Sequence, residues 1–423
     1  MRLFAREAFL PDGVAPDVLV EIAPDGTIVD VRAGAAAGDA EVLDGALLPG
    51  MPNLHSHAFQ RAMAGSAERR LRGDDDFWSW REAMYRLAAT LEPDTLYTLA
   101  RDVYTAMLRA GYTSVAEFHY LHRDPQGRWY GDRAAMAHAL VRAARDAGIA
   151  IALLPALYTH GDAGGAPLDP RRARFATGVD DVLAIAQSVR SAYAGDDDVV
   201  VGVCAHSLRA VTPDELRALV NGSPRDVPVH LHIAEQQREV EAVQAALGAR
   251  PVAWLLSEFD VDARWCLVHA THVDASERRA LARSGAIAGL CPTTEANLGD
   301  GIFPLREYLD DGGSLGIGSD SNVTIAPPEE LRWLEYVQRL VLRRRNVAAG
   351  APRASSGETL YAAAAHGGAR ACGRAAGAIA PGLRADLVVL EPAGSDPQTL
   401  VDRYVFAGEG VPRATFVAGR RRG

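Results

Sequence analysis

Two textures of hydrophobic and polar positions divide the chain. From residue 1 to about 45, short apolar runs such as VLVEIAP and IVDVRAG are broken by the turn PDGT, which predicts a small antiparallel β unit. The same texture returns from Gly377 onward in APGLRADLVVLEP, RYVFAGEG and ATFVAGR. Between the two ends, apolar strand-like runs alternate with Ala-rich stretches of helical spacing. Strands are expected to end near His57, Tyr120, Tyr158, Ser207, Glu235, His272, Thr294 and Asp320. Helices are expected over 95–110, 132–147, 179–193, 213–221, 236–247, 275–284 and 328–345. Eight strand–helix repeats over about 330 residues predict an α/β protein built as a (β/α)8 TIM barrel, not an open doubly wound sheet. The β-rich ends predict one composite β-sandwich, with parts 1–48 and 376–423 flanking a barrel over 49–375. The first βα connection, from Phe59 to near Pro93, is long and carries FWSWREAMYR. An insertion of that length at the catalytic face of a barrel is a candidate lid.

Composition narrows the partners. The 423 residues are 48 % hydrophobic and 23 % charged, ordinary for a globular protein with a sizeable core. A net charge of −10 argues against nucleic acid and anionic membrane surfaces, since either calls for a basic face. No signal peptide or membrane span is legible, so the chain reads as cytoplasmic. Cys204, Cys266, Cys291 and Cys372 are scattered and read as buried free thiols. The runs Arg343–Arg345 and Arg420–Arg422 read as a solvated helix face and a charged tail. No Gly-x-Gly-x-x-Gly or phosphate-binding loop follows the first strand, which weakens a nucleotide-binding reading.

The strand ends carry the chemistry, because barrels of this kind work at the C-terminal ends of their strands. Strand one offers His55 and His57, two imidazoles at i and i+2 on one face. By themselves they read first as hydrogen-bonded core histidines. Strand two adds Tyr120, strand four His206 and then Arg209, strand five His232 and then Glu235, strand six His269, and strand eight Asp320. His55, His57, His232 and Asp320 make a set for one Zn2+ ion per subunit with a position left for water. Glu235, just past its strand, suits a general acid/base, while His269 and Asp320 are placed to orient the attacking water. His230 lies one layer deeper and reads as core. All 44 basic residues are arginine, so no strand-end lysine carbamate can bridge two ions, and a single-metal site follows.

PNLHSHAF, HLHIAE, LVHATH, GIGSDSN and GAIAPGLRADLVVL together resemble the amidohydrolase superfamily, and the His-x-His, His-x-x-Glu, His and Asp combination resembles its mononuclear deaminase branch. HSHAFQRAMAG, AHSLRAVTP and CPTTEANLGDGIFP look like those of the formimidoylglutamate deiminase family. The resemblance implies zinc-dependent hydrolysis of a small linear amidine bearing two carboxylates, with release of ammonia in histidine degradation, by a homodimer. Arg209 and Arg81 then suit the two carboxylates, with Gln60, Tyr120 and His206 adding hydrogen bonds. The alternatives are an aminohydrolase of the same branch acting on a purine or pterin, an imidazolonepropionase, and a catalytically silent barrel used as a scaffold.

Overall fold

A computed structural model describes residues 1–68, 76–392 and 396–423. Both ends of the chain enter one eight-stranded sheet. Arg2–Leu10 and Gly13–Ile22 form a hairpin, Ile28–Arg32 pairs with the second strand, and the short Glu41–Val42 lies beside the first. Ala46–Pro49 runs antiparallel to Leu387–Leu390, which pairs in turn with Pro412–Val417. Alternate residues of these strands, among them Leu3, Val20, Leu47, Leu387, Val389 and Phe416, bury one face into a separate core. Each such side chain contributes roughly 1.5–3 kcal/mol by leaving water. The ladder between Ala46–Pro49 and Leu387–Leu390 therefore ties the two termini together.

After Gly50 the chain begins the barrel. Its strands are Met51–Ser56, Tyr112–His119, Ala150–Leu157, Val203–Ser207, Val229–Ile233, Trp265–His269, Ile287–Leu290 and Ser314–Ile317, all parallel and paired in chain order. A short strand, Val199–Val201, adds to the third. The ring closes between the eighth strand and the first: His57 N–H donates to the Asp320 carbonyl and Asp320 N–H to that of His55, each at 2.9 Å. Gly318 makes this closure possible, because a Cβ there would lie 2.7 Å from the His55 carbonyl oxygen. The strands are buried along nearly their whole length, as expected of a parallel sheet covered on both faces.

Helices wrap the ring where their caps start and stop them. Asp274 accepts from the N–H groups of Ser276 and Glu277 to begin Ala275–Ser284, and Gly285, at φ 78°, ends it. Thr212 caps Pro213–Gly222 in the same way. The sequence predicts less of the barrel's edges. Strand six ends at His269 and not near His272, and strand seven ends at Leu290, because Pro292 opens the helix Pro292–Leu298 and takes Thr294 with it. Part of the 59–93 connection, 69–75, lies outside the described residues; of the rest, FWSWREAMYR lies in the helix Phe77–Ala88. The helix Pro327–Leu342 stops before the first arginine run, with Arg343 at φ 54°, so that run follows the helix and does not form its face. Pro251–Glu258 and Ser356–Ala371 are further helices. All four cysteines are free and buried. Among the described residues, no helix is long and apolar enough to cross a membrane.

Candidate metal centre and substrate cavity

Strand one delivers His55 and His57 to the mouth of the barrel with their ring centroids 4.7 Å apart. The Nδ1–H of His57 points to the Phe118 carbonyl at 2.8 Å, and that of His232 to the His206 carbonyl at 2.8 Å. A ring whose Nδ1–H is committed to a backbone oxygen presents a bare Nε2 lone pair. The Nε2 atoms of His232 and His55 lie 3.0 Å apart, and those of His55 and His57 are each 3.5 Å from Asp320 Oδ1. His55 Nδ1 is buried with no hydrogen-bond partner. Burial, then the neighbouring imidazoles, holds His55 and His232 well below the ordinary histidine range. His57 is lowered too, chiefly by burial, with the Asp320 carboxylate opposing. Two triads share His55, one with His57 and Asp320 and the other with His232 and His269, each with its donor atoms within 4.8 Å of one another; neutral imidazoles beside a carboxylate are the donor set that a divalent ion such as zinc requires, so these residues fit a metal.

Glu235 and His269 stand beside that cluster. Glu235 follows Ala234, whose φ is 53°, and the N–H groups of both are held by the buried Glu239 carboxylate at 3.2 Å. Burial, with Glu239 and Asp320 nearby, raises the Glu235 carboxyl to about 7, and His269 works the other way. His269 Nε2 is 3.7 Å from Glu235 Oε1 and 3.9 Å from Asp320 Oδ2. Its Nδ1 lies 3.2 Å from Glu295 Oε1, which also accepts the Cys291 N–H. Burial disfavours a charged His269 ring, but Glu235, Glu295 and Asp320 outweigh it and raise the imidazole to about 10. His230, one layer down, is fully buried and bonded to the Ala371 carbonyl.

A cavity opens above this cluster, closed on one side by the helix Phe77–Ala88. Its polar wall brings together Gln60, Arg81, Tyr120, His206 and Arg209. Gln60 donates to the Tyr120 hydroxyl at 2.9 Å and leaves its own Oε1 without a partner. Burial and the Arg209 guanidinium hold His206 well below its ordinary range. Arg81 lies 4.4 Å over the Trp78 ring. Arg81 and Arg209 have no carboxylate within ion-pair distance among the described residues, and the Nε of each is buried without a partner. Every site residue that the sequence singles out therefore lines one cavity or its floor.

The sequence reading passes over several residues that complete the site. Glu239 and Glu295 each place a carboxylate within one helical turn of the backbone N–H it holds, Glu235 and Cys291 respectively. That four-residue spacing in AEQQRE and CPTTE is the signal that could have found them. Tyr85, Tyr158 and Phe175 also line the cavity, and their aromatic character alone gives no sign of it.

Comparison with known proteins agrees with this architecture. Residues 46–422 match the amidohydrolase family, and the chain belongs to that family. Residues 1–45 match the family described as formimidoylglutamate deiminase HutF, N-terminal domain. A Pseudomonas aeruginosa protein named formimidoylglutamate deiminase is 51 % identical over 99 % of this chain and 93 % of its own length. A 5-methylthioadenosine/S-adenosylhomocysteine deaminase of Natronomonas pharaonis is 28 % identical over 92 % of this chain and 84 % of its own. The crystal structure of an amidohydrolase from Brucella melitensis superposes with a TM-score of 0.94 at 45 % identity, covering 99 % of this chain and 94 % of that one.

Proposed function

We propose that the protein is a formimidoylglutamate deiminase of histidine degradation, converting N-formimidoyl-L-glutamate and water to N-formyl-L-glutamate and ammonia. The family and the close Pseudomonas relative support the reaction. The single observation that carries the substrate is the polarity of one cavity: unpartnered Arg81 and Arg209 on one wall, carboxylates Glu235 and Asp320 by the floor. A dicarboxylate with a cationic amidine head matches that field end for end. A neutral purine leaves the buried Arg209 and the half-buried Arg81 guanidinium groups unsatisfied.

His55, His57, His232 and Asp320 would hold the metal, which we take as zinc, one per subunit. A divalent ion there would lower the pKa of water to about 7 and so supply a nucleophile at neutral pH. Glu235, poised near neutrality, hands a proton to the formimidoyl nitrogen as the carbon is attacked. His269, held by Glu295 at Nδ1, keeps Nε2 toward Glu235 and Asp320, where it orients the attacking water with Asp320. Asp320 takes the proton left on the added oxygen and Glu235 or His269 relays it to the departing nitrogen, so that ammonia leaves as the formyl carbonyl forms. Arg209 and Arg81 grip the carboxylates, while Gln60, Tyr120 and His206 fix the chain between them. We expect the enzyme to work in the cytoplasm as a homodimer. Steady-state ammonia release from N-formimidoyl-L-glutamate, compared with guanine and adenosine, tests the assignment. Release from the amidine alone is the expected result, and release only from a purine overturns it.

A further inference from the structure

The wall around Arg81 holds more positive charge and more free donors than the site residues above use. Arg81 and Tyr85 lie one helical turn apart on Phe77–Ala88, with the guanidinium 5.7 Å from the Tyr85 ring centroid. On the other side of the wall Arg172 lies 5.5 Å from the same ring. Arg172 comes from the turn Pro170–Phe175 that follows strand three and is 9 % exposed. Its Nη1 donates to the Gly161 carbonyl at 2.9 Å and reaches the Tyr158 hydroxyl at 3.5 Å. Like Arg81 and Arg209, it has no carboxylate within ion-pair distance among the described residues, and its Nε is buried without a partner. Guanidinium groups gathered around tyrosines, none in ion-pair contact with a carboxylate among the described residues, leave a shortfall of negative charge.

The tyrosines supply the second observation. Tyr85, 8 % exposed, lines the cavity, and its hydroxyl is buried with no hydrogen-bond partner. Tyr158 also lines the cavity; its hydroxyl accepts from Arg172, and no acceptor among the described residues takes its own proton. Phe175 stands 5.7 Å from the Tyr85 ring and 5.9 Å from that of Tyr158 and fixes their spacing. Burial and the neighbouring Tyr158 push the Tyr85 hydroxyl up, so it keeps its proton at neutral pH. Two O–H donors without acceptors beside an unpaired arginine make the shape of a carboxylate receptor.

We infer that the hydroxyls of Tyr85 and Tyr158 donate to the side-chain carboxylate of the substrate, held by Arg81, with Arg172 positioning Tyr158 and adding charge behind it. The inference rests on the proposed substrate and extends it to which arginine takes which carboxylate. Arg209 follows the strand Val203–Ser207 by two residues and so stands at the barrel mouth beside the floor, whereas Arg81 is carried by the covering helix Phe77–Ala88. Arg209 therefore meets the carboxylate next to the amidine, and Arg81 the far one. The tyrosines thus select the glutamate side chain over its amide.

Kinetics of the metal-loaded full chain with N-formimidoyl-L-glutamate and with N-formimidoyl-L-glutamine test this. Tyr85→Phe and Tyr158→Phe keep both rings and remove only the donors. Each is expected to raise KM for the glutamate substrate roughly tenfold, the scale of one hydrogen bond to a charged group. The kcat should stay within about threefold, and the poorer glutamine analogue should be nearly unaffected. Arg172→Met should behave in the same direction. Calorimetric binding of glutarate, which needs no turnover, should weaken in step with KM. Equal losses on both substrates, or unchanged KM and glutarate affinity, overturn the inference. If the unaltered protein leaves N-formimidoyl-L-glutamate intact, the proposed function fails instead, and glutarate binding still decides the tyrosines.

Discussion

The chemistry at the cavity floor depends on a few protons held in place by burial. Glu235 is the most exacting of these, because a carboxyl lifted to about 7 can both donate and accept near neutral pH. Replacing it with glutamine keeps the volume and the neighbouring metal donors while removing the proton. Glu235→Gln should lower kcat by about 10²–10⁴-fold with zinc content unchanged by elemental analysis, and unaltered turnover would rule out its assigned role. Arg209→Met should act differently, raising KM by about 10-fold or more through loss of a charge-assisted pair, as steady-state kinetics would show. His55, His57, His232, His269 and Asp320 were legible because each sits where a strand leaves the barrel. Glu295 is marked by its spacing only as a partner of the Cys291 N–H; its hold on His269 shows only in the 3.2 Å contact with Nδ1.

Among the elements, close packing decides what the hydropathy pattern could reveal. The eight strands were readable as apolar runs, and the helices with a polar face were readable from their spacing. Ser356–Ala371 was not, since its Ala- and Gly-rich sequence has little contrast between faces. Its glycines show why the composition is needed. A Cβ at Gly367 would meet the Leu315 carbonyl oxygen within 2.0 Å, at 1.9 Å, and one at Gly368 would lie 3.1 Å from the Pro52 side chain. Gly367→Ala should therefore destabilise the fold by about 1–3 kcal/mol through overpacking, read as a lower denaturant midpoint. Strand and helix edges were misplaced where proline set the register, as at Pro292. The arginine run at 343–345 misled for a related reason: the helix is ended by a left-handed residue, Arg343, without a glycine to announce it.

At the scale of the whole molecule, the terminal sheet and the barrel share their chain through Ala46–Pro49 and Met51–Ser56, so the candidate metal site is tied to the fold through strand one. Acid groups buried behind the strands add a pH dependence. Glu330 is fully buried, bonded to the Thr293 N–H and hydroxyl, and burial raises it to about 8 from an ordinary 4.5. Between those values the folded chain holds a proton that the unfolded chain has released, so its contribution to stability is full below the lower value and is lost as pH rises through the upper one. Thermal melts should accordingly show a falling midpoint from pH 6 towards about 9, and Glu330→Gln should flatten that slope; an unchanged slope would contradict the assignment. The central claim is that one divalent ion, held by His55, His57, His232 and Asp320, makes this barrel a deiminase. Chelated protein titrated with Zn2+ while ammonia release from N-formimidoyl-L-glutamate is followed tests it most directly. Activity absent at the start and rising to saturation at about one equivalent per subunit is the predicted result. Full activity without metal, or saturation only at about two equivalents, would contradict it.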